Sequence, residues 1–139
     1  MSTATSATAT SGLAPGRTLW AGRILGGLVV LFLILDGIMH VASPVPVVQA
    51  MTELQIPVRL AAAIGVLELV CTALYVIPAT SILGAVLLTG YLGGAVAVHM
   101  RVGNPIFEAY VFPIIVGTMI WGALLLRDAR LRRLIAARG

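Results

Sequence analysis

The chain has 139 residues and a formal net charge of +4, with 60% hydrophobic residues, 10% charged residues and a mean hydropathy of +1.07. A soluble domain carries about 25% charged residues, so the composition excludes an ordinary water-soluble globule and leaves lipid as the solvent. All nine cations are Arg, mostly at the ends of apolar runs and not on a basic stripe, which argues against nucleic-acid binding, and a single Cys excludes an intrachain disulfide or dithiol chemistry.

Residues 1–16, MSTATSATATSGLAPG, are almost all Ser, Thr, Ala and Gly, with no charge and no periodicity. They are expected to form a disordered tail. A secretory signal needs a basic region ahead of its apolar core. Here the first Arg is Arg17, behind the tail, and the apolar run after it is too long for a signal core, so it is expected to be retained.

Four apolar stretches follow, at residues 18–40, 58–77, 81–100 and 109–126. Each is close to the ~20 residues that cross ~30 Å of hydrocarbon. The expected fold is all-α, a four-transmembrane-helix bundle occupying residues 17–128. The loop at 41–57 contains Pro44, Pro46 and Pro57 and an amphipathic VVQAMTELQI piece, read as a short interfacial helix. Pro78 and a short ATS segment force the second and third stretches into a tight antiparallel hairpin. The basic tail at 129–139 places Leu131, Leu134 and Ile135 on one helical face, the pattern of a membrane-surface helix against anionic lipid. A plain stop-transfer anchor is preferred there over a specific lipid or partner site. No repeat of 20–50 residues is visible.

Four crossings put both termini on one side. Arg17, Arg23, Arg127, Arg130, Arg132, Arg133 and Arg138 lie on that side, against Arg59 and Arg101 on the other, where Glu53 and Glu108 offset them. By the positive-inside bias both termini are expected to be cytoplasmic. Tyr110 and Phe112 are then read as outer-interface aromatics, Trp20 and Tyr75 as inner ones. Gly22 with Gly26, and Gly90 with Gly94, form GxxxG pairs. Such pairs serve packing within a bundle or a dimer face, and a homo-oligomer or larger membrane complex stays open.

The informative residues in lipid are the ionisable ones, each costing ~2.5–3.5 kcal/mol at mid-membrane on insertion scales. Asp36 and His40 are four apart and share a face at the outer end of the first helix. Glu68 follows Arg59 by nine residues, ~13 Å down the second helix and near the midplane. His99 and Arg101 close the third helix at its outer end, and Tyr91 sits near mid-depth in it. Three helices thus bring polar groups to one leaflet, and they are expected to converge across the bundle. The bland readings are interfacial histidines at helix ends, an Asp36 pair with His40 or Arg101 as glue, a structural Tyr91, and an apolar filler thiol at Cys71. For Glu68 packing alone is a poor explanation. A metal site of Asp36, His40, Glu68 and His99 can be drawn with suitable donors. HxxxH, HExxH and ExxH spacings are all absent, however, so no metal is expected.

The stretch YLGGAVAVHMRVGNPIFEAYVFPIIVGTMIWGALLLRD, with its Gly-Gly-Ala run, the His-x-Arg-x-Gly element at His99, Arg101 and Gly103, and the later Pro113 and Trp121, resembles the DoxX-like family of small bacterial four-helix membrane proteins. GVLELVCTALYVIP around Glu68 and the DGIMH that ends the first helix are also similar, and the resemblance spans residues 20–128. It implies a multi-pass protein of the bacterial cytoplasmic (inner) membrane. Some relatives are described as subunits of thiosulfate:quinone oxidoreductases, and others are linked to oxidative-stress complexes. The lone Cys speaks against disulfide-relay chemistry, and His40 with His99 is a poor bis-His haem pair. The cofactor is unknown, a quinone being one candidate.

Two functions of different class follow. In the leading one the bundle binds a quinone, lipid or other small lipophile, as in a redox-accessory subunit. Glu68 accepts a hydrogen bond or proton, His40 and His99 donate, and Arg101 and Tyr91 hold the ligand. In the alternative, Glu68 with the Asp36–His40 dyad and His99 performs acid–base catalysis on a small lipophilic substrate, of isomerase or epoxide-opening type. A transporter is disfavoured by the small helix number and the lack of an inverted repeat.

Overall fold

A computed structural model describes residues 15–137. Six α-helices run in order: α1 (Pro15–Ala42), α2 (Val45–Glu53), α3 (Ala61–Val76), α4 (Ser81–Val102), α5 (Phe112–Arg127) and α6 (Ala129–Ala136). A 3₁₀ turn at Val58–Leu60 leads into α3, and a π turn at Phe107–Val111 leads into α5. Four segments are long and apolar enough to cross a membrane: Gly16–Ala42, Val58–Val76, Ser81–Val102 and Ala109–Arg127. The chain is a multi-pass membrane protein built as an all-α four-helix bundle. The expected 1–16 tail lies outside the described residues except for Pro15 and Gly16, which open α1.

Local chemistry sets the helix ends. Ile77 is extended (φ −71°, ψ 120°) ahead of Pro78, which disfavours the helical region for the residue before it, so α3 stops there. Gly103 adopts a left-handed φ of 75°, at no steric cost, and ends α4, with Gly103 N–H and Asn104 N–H donating to Met100 O and His99 O. Pro113 has no N–H to continue a regular ladder. The wider π turn stands immediately before it, with the Phe112 N–H reaching Phe107 O.

The spans form a ring: α1 packs on α3 and α5, and α4 packs on the same two. Val29 and Leu33 of α1, Leu88 and Leu92 of α4, and Val116, Ile120 and Leu124 of α5 fill its interior. Leu28, Leu35, Leu67, Val70, Val86 and Ile114 point outward, the surface that lipid tails cover. The helices meet most closely where side chains vanish. A Cβ on Gly84 would collide with the Tyr75 backbone at the α3–α4 hairpin, and one on Gly22 would sit 2.8 Å from Leu126 Cβ of α5.

Tyr75 does not mark an interface. It is fully buried, its hydroxyl donates to Ile120 O at 2.8 Å, and the Arg127 guanidinium stacks 4.5 Å from its ring while donating to Tyr75 O. The phenol pins α3 to α5 because a buried Tyr must place its O–H. The two amphipathic pieces are helical, as α2 and α6. Asp128 caps α6, its Oδ1 accepting from Arg130 N–H at 2.8 Å, and Leu131 is buried beneath it.

Candidate functional site

The site is built where α1 crosses α3. Gly37 and Gly65 are apposed there: a Cβ on Gly65 would lie 2.5 Å from Gly37 O and 2.8 Å from His40 Cβ. Asp36 and His40 flank Gly37 on α1, and Glu68 lies one turn beyond Gly65 on α3. The close approach of two backbones therefore carries three ionisable side chains to one place. One donor atom from each of Asp36, His40 and Glu68 lies within 4.8 Å of the others. α4 adds the fourth member, Tyr91, whose hydroxyl donates to Glu68 Oε2 at 3.0 Å.

Burial is graded across the set. Glu68 is 1% exposed, while the His40 and Asp36 side chains are 23% and 39% exposed. The group thus has a closed floor at Glu68 and an open side at Asp36. The His40 ring contacts Asp36 twice, with Nδ1 3.0 Å from the Asp36 carbonyl oxygen and 3.5 Å from Asp36 Oδ2. A carbonyl oxygen only accepts, so Nδ1 carries a proton, and in the neutral imidazole Nε2 has the lone pair. Glu68 Oε1 is buried without a hydrogen-bond donor. Asp36 and Glu68 bring carboxylate oxygens within 4.8 Å of each other, and two ionised carboxylates both accept, so a proton or a cation between them is favoured.

The other two candidates are placed elsewhere. His99 Nδ1 is 3.0 Å from Asn104 Nδ2, in the turn that ends α4. Arg101 donates to Leu54 O at 2.7 Å and ties that end of α4 to the segment after α2. The structure therefore brings together Asp36, His40, Glu68 and Tyr91, and does not bring His99 or Arg101 into the same set. Gly37 and Gly65, whose close approach shapes the crossing, are positions that the sequence reading passed over. Their signal was a glycine beside Asp36 and another one turn before Glu68. A cavity of about 440 Å³ lies beside Arg101, lined by Gln55, Ile56, Pro57, Ala97 and Val98. A larger groove of about 600 Å³ runs between α4 and α5 past Leu92, Val96, Gly117 and Trp121. Glu68 lines neither.

Chemically, the set can accept hydrogen bonds at Glu68 and Asp36, donate one from Tyr91, pass a proton between neighbouring acids, and offer oxygen and nitrogen lone pairs to a cation. No curated protein and no solved structure matches the chain. The sequence model of the DoxX-like family matches residues 24–123, a stretch holding all four residues of the site and most of every span, and the chain belongs to the DoxX-like family.

Proposed function

We propose that the bundle binds a small lipophile, a quinone or a lipid with a compact polar head, and that Asp36, His40, Glu68 and Tyr91 hold that head. The observation that carries this reading is the buried Glu68 carboxylate, satisfied on Oε2 by Tyr91 and without a donor on Oε1. A carboxylate of this kind is kept in an apolar bundle only against a cost of several kcal/mol, and the hydroxyl of a lipid head, or of the quinol form of a quinone, would supply the missing donor. The head enters from the exposed side of Asp36 and His40, and the apolar helix faces take the tail. The Arg bias supports the accompanying orientation, with both termini cytoplasmic in a bacterial inner membrane and the site in the outer half. A role as a redox-accessory subunit fits such a ligand.

The test is solvent extraction of the purified full chain followed by mass spectrometry. A lipophile near one per chain is expected from the parent and not from Glu68→Gln. Identical extracts from the two proteins would overturn the reading. The proximity of the two acids favours a second reading, acid–base turnover of a lipophilic substrate. It separates from binding by outcome: Glu68→Gln would then abolish turnover while ligand affinity stayed within a few-fold.

A further inference from the structure

We infer that Asp36, His40 and Glu68 form a binding site for one divalent transition-metal ion. The inference uses residues of the lipophile site but does not depend on a lipophile being bound. It also departs from the motif expectation, because spacing motifs read one helix at a time and these donors come from two.

Distance comes first. The three donor atoms already lie within 4.8 Å of one another. Bonds of ~2.0–2.2 Å place neighbouring ligands about 3–3.5 Å apart around an ion. Closing the set by up to about 1.3–1.8 Å is a side-chain adjustment, and Asp36, the most exposed member, has the room for it. The backbone that holds the donors is rigid by contrast, because Gly37 and Gly65 are in direct contact.

Charge comes second. Two carboxylates lie close together in a low-dielectric bundle, and Arg101, at the same end of the bundle, is engaged on Leu54 O. The ion pair recorded among the described residues joins Asp36 to His40, and it is charged only when the imidazole is protonated. A single shared proton would leave one negative charge in place. A divalent ion with two carboxylates and a neutral imidazole is neutral overall, the form that hydrocarbon tolerates best.

The third argument is the unpartnered atom. Glu68 is 1% exposed and its Oε1 lacks any donor; a metal–oxygen bond would satisfy it. The groups around the donors are those that orient metal ligands. Tyr91 fixes the second oxygen of Glu68, the Asp36 carbonyl holds the His40 ring through Nδ1, and an imidazole nitrogen of His40 is the third ligand atom. Two oxygens and one imidazole nitrogen suit zinc, iron(II) or manganese(II). Calcium and magnesium prefer all-oxygen sites, and copper(I) prefers sulfur. Three protein ligands leave positions open on the exposed side, where an oxygen of a ligand head would bind.

The experiment uses the full chain in detergent, stripped with a chelator and titrated with cobalt(II), which reports its ligands by visible absorption. One cobalt per chain is expected, displaced by zinc, with bands typical of low-coordinate nitrogen–oxygen ligation. Asp36→Asn, His40→Gln and Glu68→Gln should each weaken binding at least about tenfold, and Tyr91→Phe should weaken it less, as a group that orients a ligand. Glu53→Gln, on the exposed face of α2, should leave it unchanged. Zinc should raise the Tm of the parent and not of Asp36→Asn. Absence of saturable binding, or equal binding by parent, Asp36→Asn and Glu68→Gln, would overturn the inference. Asp36 is partly exposed, so its variant keeps the test valid even where Glu68→Gln folds poorly. Extraction of lipophile from chelator-treated protein is scored separately, so failure of either reading is recognised without the other.

Discussion

Glu68 has one hydrogen bond where its carboxylate has room for several, and another acid lies within 4.8 Å of it. Side chains that serve only as glue are better satisfied than this. In metal-free protein Glu68→Gln should therefore melt at the parent's temperature or above it, because the amide N–H2 can donate to Asp36. Relief of an unsatisfied buried acceptor is worth about 1–3 kcal/mol. Arg101→Gln loses the bond to Leu54 O at an exposed position and should cost only about 1 kcal/mol. Thermal melts in detergent decide between the readings, and a sharp matched fall in both variants would make the pair structural glue. The acids were legible in the sequence because an ionisable residue in an apolar run is costly wherever it points. The membership of His99 was not. His99 lies eight residues beyond Tyr91, about 12 Å along α4, so only one of the two can reach the level of Glu68, and the structure gives that place to Tyr91. Depth along a helix follows from counting, whereas direction around it depends on neighbours.

Among the helices, small residues look alike in sequence but do different things. Gly22 and Gly26 both face α5, while a Cβ on Gly90 or Gly94 would meet nothing within 4 Å. The GxxxG pattern thus gave one true intramolecular contact and one open face, and it missed the Gly37–Gly65 crossing, which unites two helices and so has no spacing of its own. Gly65→Ala should be disruptive, because the new methyl meets the backbone oxygen of Gly37, which cannot rotate away. A loss of about 1–3 kcal/mol is expected from such overpacking, together with separation of Glu68 from Asp36 and His40. Gly94→Ala should stay within about 0.5 kcal/mol. Melting curves test both, and the cobalt titration adds a second readout: Gly65→Ala should bind weakly even where it remains folded.

At the scale of the whole molecule, what remains is which way the bundle sits. The four spans return the chain to its starting side, so Pro15 and Ala136 share one membrane face and α2 lies at the other. The site is at the α2 end of the bundle, since Asp36 is near the close of α1 and Glu68 is about 10 Å into α3. In the proposed orientation, which rests on the Arg bias, α2 lies outside. Buried Cys71 is replaced by Ser to give a silent background, and single cysteines are placed at two reporter positions. Gln49→Cys, on the exposed face of α2, should react with an impermeant thiol reagent added to intact cells. Ala136→Cys, at the end of α6, should react only after permeabilisation. The reverse pattern would put the acids in the cytoplasmic half, where a metal ion would be drawn from the buffered cytosolic pool and not from outside. The orientation therefore sets which compartment supplies the cation, and it fixes the leaflet from which a lipophile head would approach Asp36.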